Sequence, residues 1–345
     1  MSEASPFVSA VLLSYNCADY IAEAVRSALN QDCEPMEVIV SDDASEDETV
    51  AILEREVNSY HGPHRIDIRR RSNNSGSKSA HLNDVLRRVS GEIIVSFDGD
   101  DISEISRVHS IVKVFRHNPR VQAVYSAYSL IDEAGRPLGS GTVPHPPAEV
   151  NSRAWFANVD AYASGGTLAF RRKVFESFGS LDPSINEDVV LPFRASLLGE
   201  VRYLDEEFVK VRRHPESFTQ SFDIYDSVDS YRCRFLWGID QARKHRDSRL
   251  SDLQTATALV PDHVEEFEGL REIISASMAD AESSAGLVSP SLSIRARTFF
   301  ELLRKSSYQE AFTRDACLAF APKLYLQYKR RRLSTRRKHI PRERL

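Results

Sequence analysis

The feature that most restricts this chain's fold is an alternation of short apolar strands with amphipathic helices through its first half. Residues 7–13 read as a strand. A helix follows over residues 18–31, with Ile21, Val25, Ala28 and Leu29 on one face. A second strand covers residues 36–40, and Ser45 with Glu48 predicts a capping box for a helix over 46–57. A weaker strand at 65–69 and a helix at 78–89 lead to a third apolar run, Glu92-Ile-Ile-Val-Ser-Phe97. Further on, helices are expected at 103–117, 172–178 and 186–199, and strands at 121–126, 167–170, 201–204 and 208–211. Such an order specifies an α/β fold with a mainly parallel sheet flanked by helices on both faces. From about residue 225 Gly and Pro thin out and helical periodicity dominates. We therefore expect a domain over 1–222 and a helical extension over 223–345.

Three of the early strands end in polar residues: Ser14-Tyr15-Asn16, Asp42-Asp43 and Asp98-Gly-Asp-Asp101. Open α/β sheets bind ligands outside the carboxyl ends of their strands. Asp98 and Asp100, two residues apart, can point the same way. Their oxygens suit a hard divalent cation that also takes phosphate oxygens from a substrate. Gly99 would let the backbone approach a ligand closely. The bland alternative makes Asp101 a helix cap, with Glu104 completing the box, and leaves Asp98 and Asp100 without a structural task. Tyr15 offers a stacking face for a planar base, and Asp43 could accept from a ring N–H. No Gly-x-Gly-x-x-Gly is present, which argues against a dinucleotide-binding dehydrogenase.

Read in order, these pieces resemble family 2 glycosyltransferases of the GT-A (Rossmann-like) fold, over roughly residues 6–220. The resemblance rests on Val8-Ser-Ala-Val-Leu-Leu-Ser-Tyr-Asn16, Gln31, Glu37-Val-Ile-Val-Ser-Asp-Asp-Ala-Ser45, Asn74-Ser-Gly76 and Asn83. It continues through Gly91 to Asp101, Arg107, Gly165-Gly-Thr-Leu-Ala-Phe-Arg-Arg172, Glu187-Asp188 and Arg212-Arg-His214. It implies a metal-dependent, inverting transfer of one sugar from a nucleotide-diphosphate sugar, a UDP-sugar by preference, to a saccharide or lipid-linked acceptor. Bacterial cell-surface polysaccharide or glycoconjugate synthesis is the implied setting. Ser14, Tyr15, Asn16, Asp42, Asp43 and Asp98 would hold the nucleotide. Asp100 would be the principal protein ligand of Mn²⁺ or Mg²⁺, and Asp188 the general base. Glu187, Gly166, Arg212, Arg213 and His214 would contact the diphosphate or substrate. The segment 150–166 would shape the donor pocket. Ile105 stands where the family often has Pro. The Gln-x-x-Arg-Trp signature of processive synthases is absent, which favours single-sugar transfer.

Charge adds a further expectation. The net charge is −5, but the segment from Lys323 onward carries +9, leaving −14 for the rest. A basic tail with interspersed Tyr and Leu suits an anionic membrane surface, whereas the acidic body argues against nucleic acid. No apolar stretch approaches the roughly 20 residues that span a bilayer. The first residues lack the basic and apolar regions of a signal peptide, and the four cysteines show no disulfide or metal spacing. The expected location is therefore cytoplasmic, peripheral on the inner face of the plasma membrane. Two rivals compete with this reading: a non-catalytic nucleotide-sugar-binding or assembly protein, and an aspartate-nucleophile phosphatase acting through Asp98.

Overall fold

The computed structural model describes residues 7–141, 152–215 and 227–303. The basic tail from Lys323, Cys317 and the start of the 150–166 segment lie outside the described residues. Compactness divides the chain into one unit of residues 1–214 with 247–274 and a second of 215–246 with 275–345.

The first unit opens with β1 (Val8–Ser14), α1 (Ile21–Leu29), β2 (Glu37–Asp42), α2 (Thr49–Asn58), β3 (Arg65–Arg70), α3 (Lys78–Leu86) and β4 (Ile93–Asp98). It continues with β5 (Ile102–Ser103), α4 (Arg107–His117), β6 (Val121–Ile131), β7 (Pro137–Ser140) and α5 (Ser152–Ala157). β8 (Ala169–Arg171), α6 (Arg172–Phe178), α7 (Glu187–Leu198) and β9 (Glu200–Arg212) complete the sheet-bearing part. Among the described residues these strands form one sheet in the order β3-β2-β1-β4-β8-β6-β9-β5, with β7 on β6. β1 lies parallel to β2 and β4, and β2 to β3. The alternation thus yields a parallel half, as its helical crossovers require. The other half is mixed, because β8 runs antiparallel to both β4 and β6 while β9 returns parallel to β6. The two short strands expected at 201–204 and 208–211 are one long β9, whose register on β6 shifts around Ser126–Tyr128. The polar run 205–207 marks that bulge rather than a break.

The core explains the order. Ala10, Leu12, Val38, Val40, Ile93, Val95 and Phe97 from the strands pack with Ile21, Val25, Leu53, Ile111 and Phe115 from the helices. β1, β2 and β4 are buried on both faces, which is why they read as continuous apolar runs.

Neither expected capping box forms. α2 begins at Thr49 with Glu48 at its cap and no side-chain cap bond. Ser45 Oγ instead donates to Asp42 Oδ2 at 2.6 Å and accepts from the Asn16 N–H at 2.9 Å. α4 begins at Arg107 after Ser106, again without a side-chain cap. Asp101 Oδ1 accepts from the Arg212 N–H at 2.9 Å, so it tethers the end of β9.

Residues 247–274, which the sequence boundary near 222 groups with the helical extension, pack within the first unit. They belong to α8 (Val228–Leu259) and α9 (Val264–Ser283). Asp252 pairs with Arg194 at 3.0 Å, each side chain 6% exposed. Arg249 donates to Phe156 O at 2.8 Å and Ala161 O at 3.1 Å. In the second unit, α10 (Leu292–Leu303) follows the end of α9. There Arg243 meets Glu282 at 2.9 Å, and Arg232 Nε donates to Val288 O. No helix among the described residues is long and apolar enough to cross a membrane.

Candidate active site

The carboxyl ends of β1, β2 and β4 lie side by side because their strands are parallel neighbours. β4 runs on through Gly99, whose N–H donates to Leu13 O at 2.9 Å. A Cβ on Gly99 would meet Cys17 Sγ at 2.9 Å and Leu13 O at 3.1 Å. The glycine is therefore demanded by the end of β1, and the close approach is to protein rather than to a ligand.

The expected nucleotide residues divide into two groups. Asp42, fully buried, accepts from Ser14 Oγ at 3.0 Å and from Ser45 N and Oγ at 2.8 and 2.6 Å. Asn16, in the left-handed region at φ 45°, accepts from the Glu46 N–H. Ser14, Asn16 and Asp42 therefore brace the two strand-end loops against each other. Asp43 holds the 71–75 loop through Arg71 at 3.0 Å and Ser75 N and Oγ at 2.9 and 2.7 Å. Tyr15 is half-exposed at 50%.

Beside them lies a dense acidic group. Lys78, placed at the start of α3 by the Ser77 N-cap, sets its ammonium 2.7 Å from Asp98 Oδ1 and 2.8 Å from Glu187 Oε1. Burial opposes that charge, but Asp98 and Glu187 outweigh it and hold the ammonium well above its ordinary range. Asp100 is the more open carboxylate, and His214 Nε2 lies 3.1 Å from its Oδ2. His214 itself is buried and tilts against the Tyr20 ring at 4.7 Å. Asp101 is buried, and burial together with Asp100 and Asp98 pushes its carboxyl well up. Asp98 is raised by burial and by Asp100, with Lys78 pulling the other way.

Asp188 enters from the first turn of α7 next to Glu187. Burial first, then Glu187 and Asp98, push its carboxyl up to about 8 against the pull of Lys78. Its Oδ1 is buried without a hydrogen-bond partner among the described residues, an unusual state for such an atom. A buried carboxyl with an unmatched oxygen and a raised pKa has the character of an acid–base group.

Two arginines support this cluster from within. Arg107, fully buried, donates to Ser103 Oγ, Ser96 O and Gly166 O, each at 2.8 Å. Burial lowers its pKa to about 10, although Asp98 and Asp101 favour its charge. Arg212 reaches Asp100 O at 3.0 Å, Glu133 O at 3.0 Å and Glu23 at 2.5 Å, and lies 4.8 Å over the Tyr20 ring. Its guanidinium is consumed by the protein, so Arg212 is a brace rather than an open substrate contact. Gly166 is hemmed in: a Cβ would meet Asp98 Oδ2 at 2.9 Å and Asp101 Oδ2 at 3.1 Å. Both carboxyls are anchored, so Gly166→Ala is expected to cost about 1–3 kcal/mol of stability. A urea titration with an unshifted midpoint would contradict that close packing.

The structure therefore brings together Asp98, Asp100, Gly166, Glu187, Asp188 and His214. Sequence reasoning missed Lys78, the inward role of Asp101 and the contacts of Arg107. The start of α3 is marked by Ser77, but nothing local tells that Lys78 faces two acids from distant segments. Among the described residues no group of three or more His, Cys, Asp or Glu is arranged to hold a metal ion. The donor set fits a cation held by few protein oxygens and completed by phosphate oxygens and water. Carboxylates outnumber the cations facing them here, and Asp100 keeps an oxygen that His214 does not engage.

The model of "Glycosyl transferase family 2" matches residues 9–179. The chain is 33% identical over 136 residues to a chondroitin synthase of Escherichia coli, covering 39% of this chain and 19% of that protein. It is 34% identical over 131 residues to an uncharacterized glycosyltransferase of Haemophilus influenzae, covering 38% and 39%. The chain spans less than half the length of these curated relatives. Among solved structures, S. aureus TarS 1-349 in complex with UDP-GlcNAc aligns over 94% of this chain and 91% of its own, with a TM-score of 0.52 and 17% identity. That likeness concerns the fold, which is the GT-A arrangement with a C-terminal helical region.

Proposed function

Since this chain belongs to glycosyl transferase family 2 through residues 9–179 and is a glycosyltransferase, we propose that it moves one sugar from a nucleotide-diphosphate sugar to an acceptor hydroxyl with inversion. The observation that carries this reading is the meeting of Asp98, Asp100 and Asp188 at one sheet edge, with His214 on Asp100 and an Asp188 oxygen that has no partner among the described residues. Tyr15 stacks the base, and Asp43, which has acceptor capacity left on Oδ2, receives its ring N–H. A UDP-sugar is the favoured donor; the S. aureus structure, with UDP-GlcNAc bound to the same fold, supports that choice.

Asp188 takes the proton as the acceptor oxygen bonds to the anomeric carbon. The bond from that carbon to the phosphate oxygen breaks, and one displacement from the opposite side inverts the centre. Its raised pKa keeps the proton affinity of this base near neutral pH, where a general base is most effective. Asp100 would hold Mn²⁺ or Mg²⁺, with His214 orienting its carboxylate. Held there, such an ion would supply charge neutralisation to the departing diphosphate, which an all-acidic pocket would otherwise repel. Lys78 keeps Asp98 and Glu187 in place beside the reacting centre.

Saccharide or lipid-linked acceptors remain the proposed partners. The basic tail supports a peripheral site on the inner face of the plasma membrane, each basic residue near an anionic surface contributing about 1 kcal/mol.

The test is calorimetric. UDP is expected to bind the wild type more tightly with Mn²⁺ than with EDTA, and Asp100→Ala to abolish that difference. Equal metal enhancement in both proteins would remove Asp100 from the metal role. A panel of nucleotide-sugars and acceptors then separates an enzyme from a protein that only binds, since the latter would take up UDP with no turnover.

A further inference from the structure

Arg213 stands between two residues already assigned but faces another way. Its N–H donates to Ile131 O at 2.8 Å, extending the pairing of β6 with β9 by one residue. Arg212 and His214 on either side both turn to the Tyr20 ring. Alternation along an extended chain sends Arg213 to the opposite face. On that face the register sets Tyr128 beside Val209 and Leu130 beside Val211.

Two tyrosines accompany it. Arg213 shares that face with Tyr128, and its positive charge opposes the burial that raises the Tyr128 and Tyr162 phenols. Asp101 acts on the first phenol and Asp188 on the second. Tyr162 is fixed beside Asp188 because the next residue, Ala163, donates its N–H to Asp188 O at 2.9 Å. Tyr162 remains 37% exposed. Arg212, one residue earlier, spends its guanidinium on Asp100, Asp132, Glu133 and Glu23. The half-buried Arg213 side chain makes no hydrogen bond or ion pair with the described residues, although the site beside it is crowded with carboxylates.

An unengaged guanidinium with its planar fork of donors matches a carboxylate or phosphate. Flanking phenols supply ring faces and hydroxyls suited to a sugar. The diphosphate belongs on the Asp100–His214 face, so the group Arg213 meets comes from the acceptor side, next to Asp188. An acceptor bearing a negative charge would otherwise be repelled by this acidic edge. We infer that Arg213, framed by Tyr128 and Tyr162, binds an anionic group, phosphate or carboxylate, on the acceptor saccharide. This rests on the reading of Asp188 as the acceptor-side base.

The experiment uses full-length protein saturated with UDP and Mn²⁺. It is titrated with glucose, glucuronic acid and glucose 6-phosphate, with binding followed by saturation-transfer NMR. The two anionic sugars distinguish a carboxylate from a phosphate preference. Wild type is expected to bind at least one of them about tenfold or more tighter than glucose, as a charge-assisted pair supplies. Arg213→Gln should remove the preference and Arg213→Lys should restore part of it, while UDP affinity changes less than about twofold. No anion preference in wild type overturns the inference. So does a tenfold loss of UDP affinity in Arg213→Gln, which would assign the guanidinium to the donor. Failure of wild type to take up UDP at all would instead sink the transfer reading on which the inference stands. Thermal unfolding of each variant guards against misfolding, since a preference lost with an unchanged Tm is not a folding defect.

Discussion

Asp188→Asn is expected to lower kcat about 10²–10⁴-fold, the range set by loss of a general base, and at the same time to raise Tm at pH 8. The second effect follows from the carboxyl's environment. Its folded pKa of about 8 stands far above the ordinary 3.8. Between those values the folded protein keeps a proton that the unfolded chain has released. Stability contributed by this group is therefore present below about pH 4 and declines as pH rises toward 8. Asparagine carries no titratable proton and removes that slope. The gain should thus be clear at pH 8 and vanish at pH 4, with each kcal/mol worth about 2–4 °C for a domain of this size. Melting curves of both proteins across that window provide the check. Parallel curves, or kcat within threefold of wild type, would sink the assignment. In the wild type, kcat/KM should climb with pH up to about 8 as the base loses its proton.

The largest purely structural effect is expected at Arg107. Arg107→Met removes the donors to Ser96 O and Gly166 O and the positive charge facing Asp98 and Asp101. Methionine can fill the space over Phe97, where the guanidinium sits 4.7 Å from the ring centre, but it satisfies neither carbonyl. Breaking one side of a buried charged network typically costs about 3–5 kcal/mol. Urea unfolding at pH 7 should show that loss, and a change under 1 kcal/mol would mean that the network relaxes without it.

The parts of the fold legible in the sequence were those fixed by local pattern. β1, β2 and β4 announce themselves as apolar runs because both faces are covered, and each ends at the polar residues that the structure places along one edge. Asp98 and Asp100 could be singled out for that reason, whereas Asp188, in the first turn of α7, stands out only through the family resemblance. What escaped depends on partners far along the chain. Ser45–Glu48 has the spacing of a capping box, yet the Ser45 hydroxyl is taken by Asp42, held in place by β2. Asp101–Glu104 has it too, yet Asp101 is claimed by Arg212, 111 residues away. Lys78 and Arg107 look like ordinary first-turn residues until the strands bring acids to them. The long β9 hides behind an acidic run that bulges without ending the strand.

The pairing of Asp252 with Arg194, and of Arg249 with Phe156 O and Ala161 O, bears on how such a chain can change over evolutionary time. The unit that carries the acids is completed by a stretch lying beyond residue 246, so it is not a contiguous cassette. A recombination joint near residue 222 would separate Arg194 from its counter-ion and the backbone before Tyr162 from its anchor. Exchange of the whole span through residue 274 would keep both.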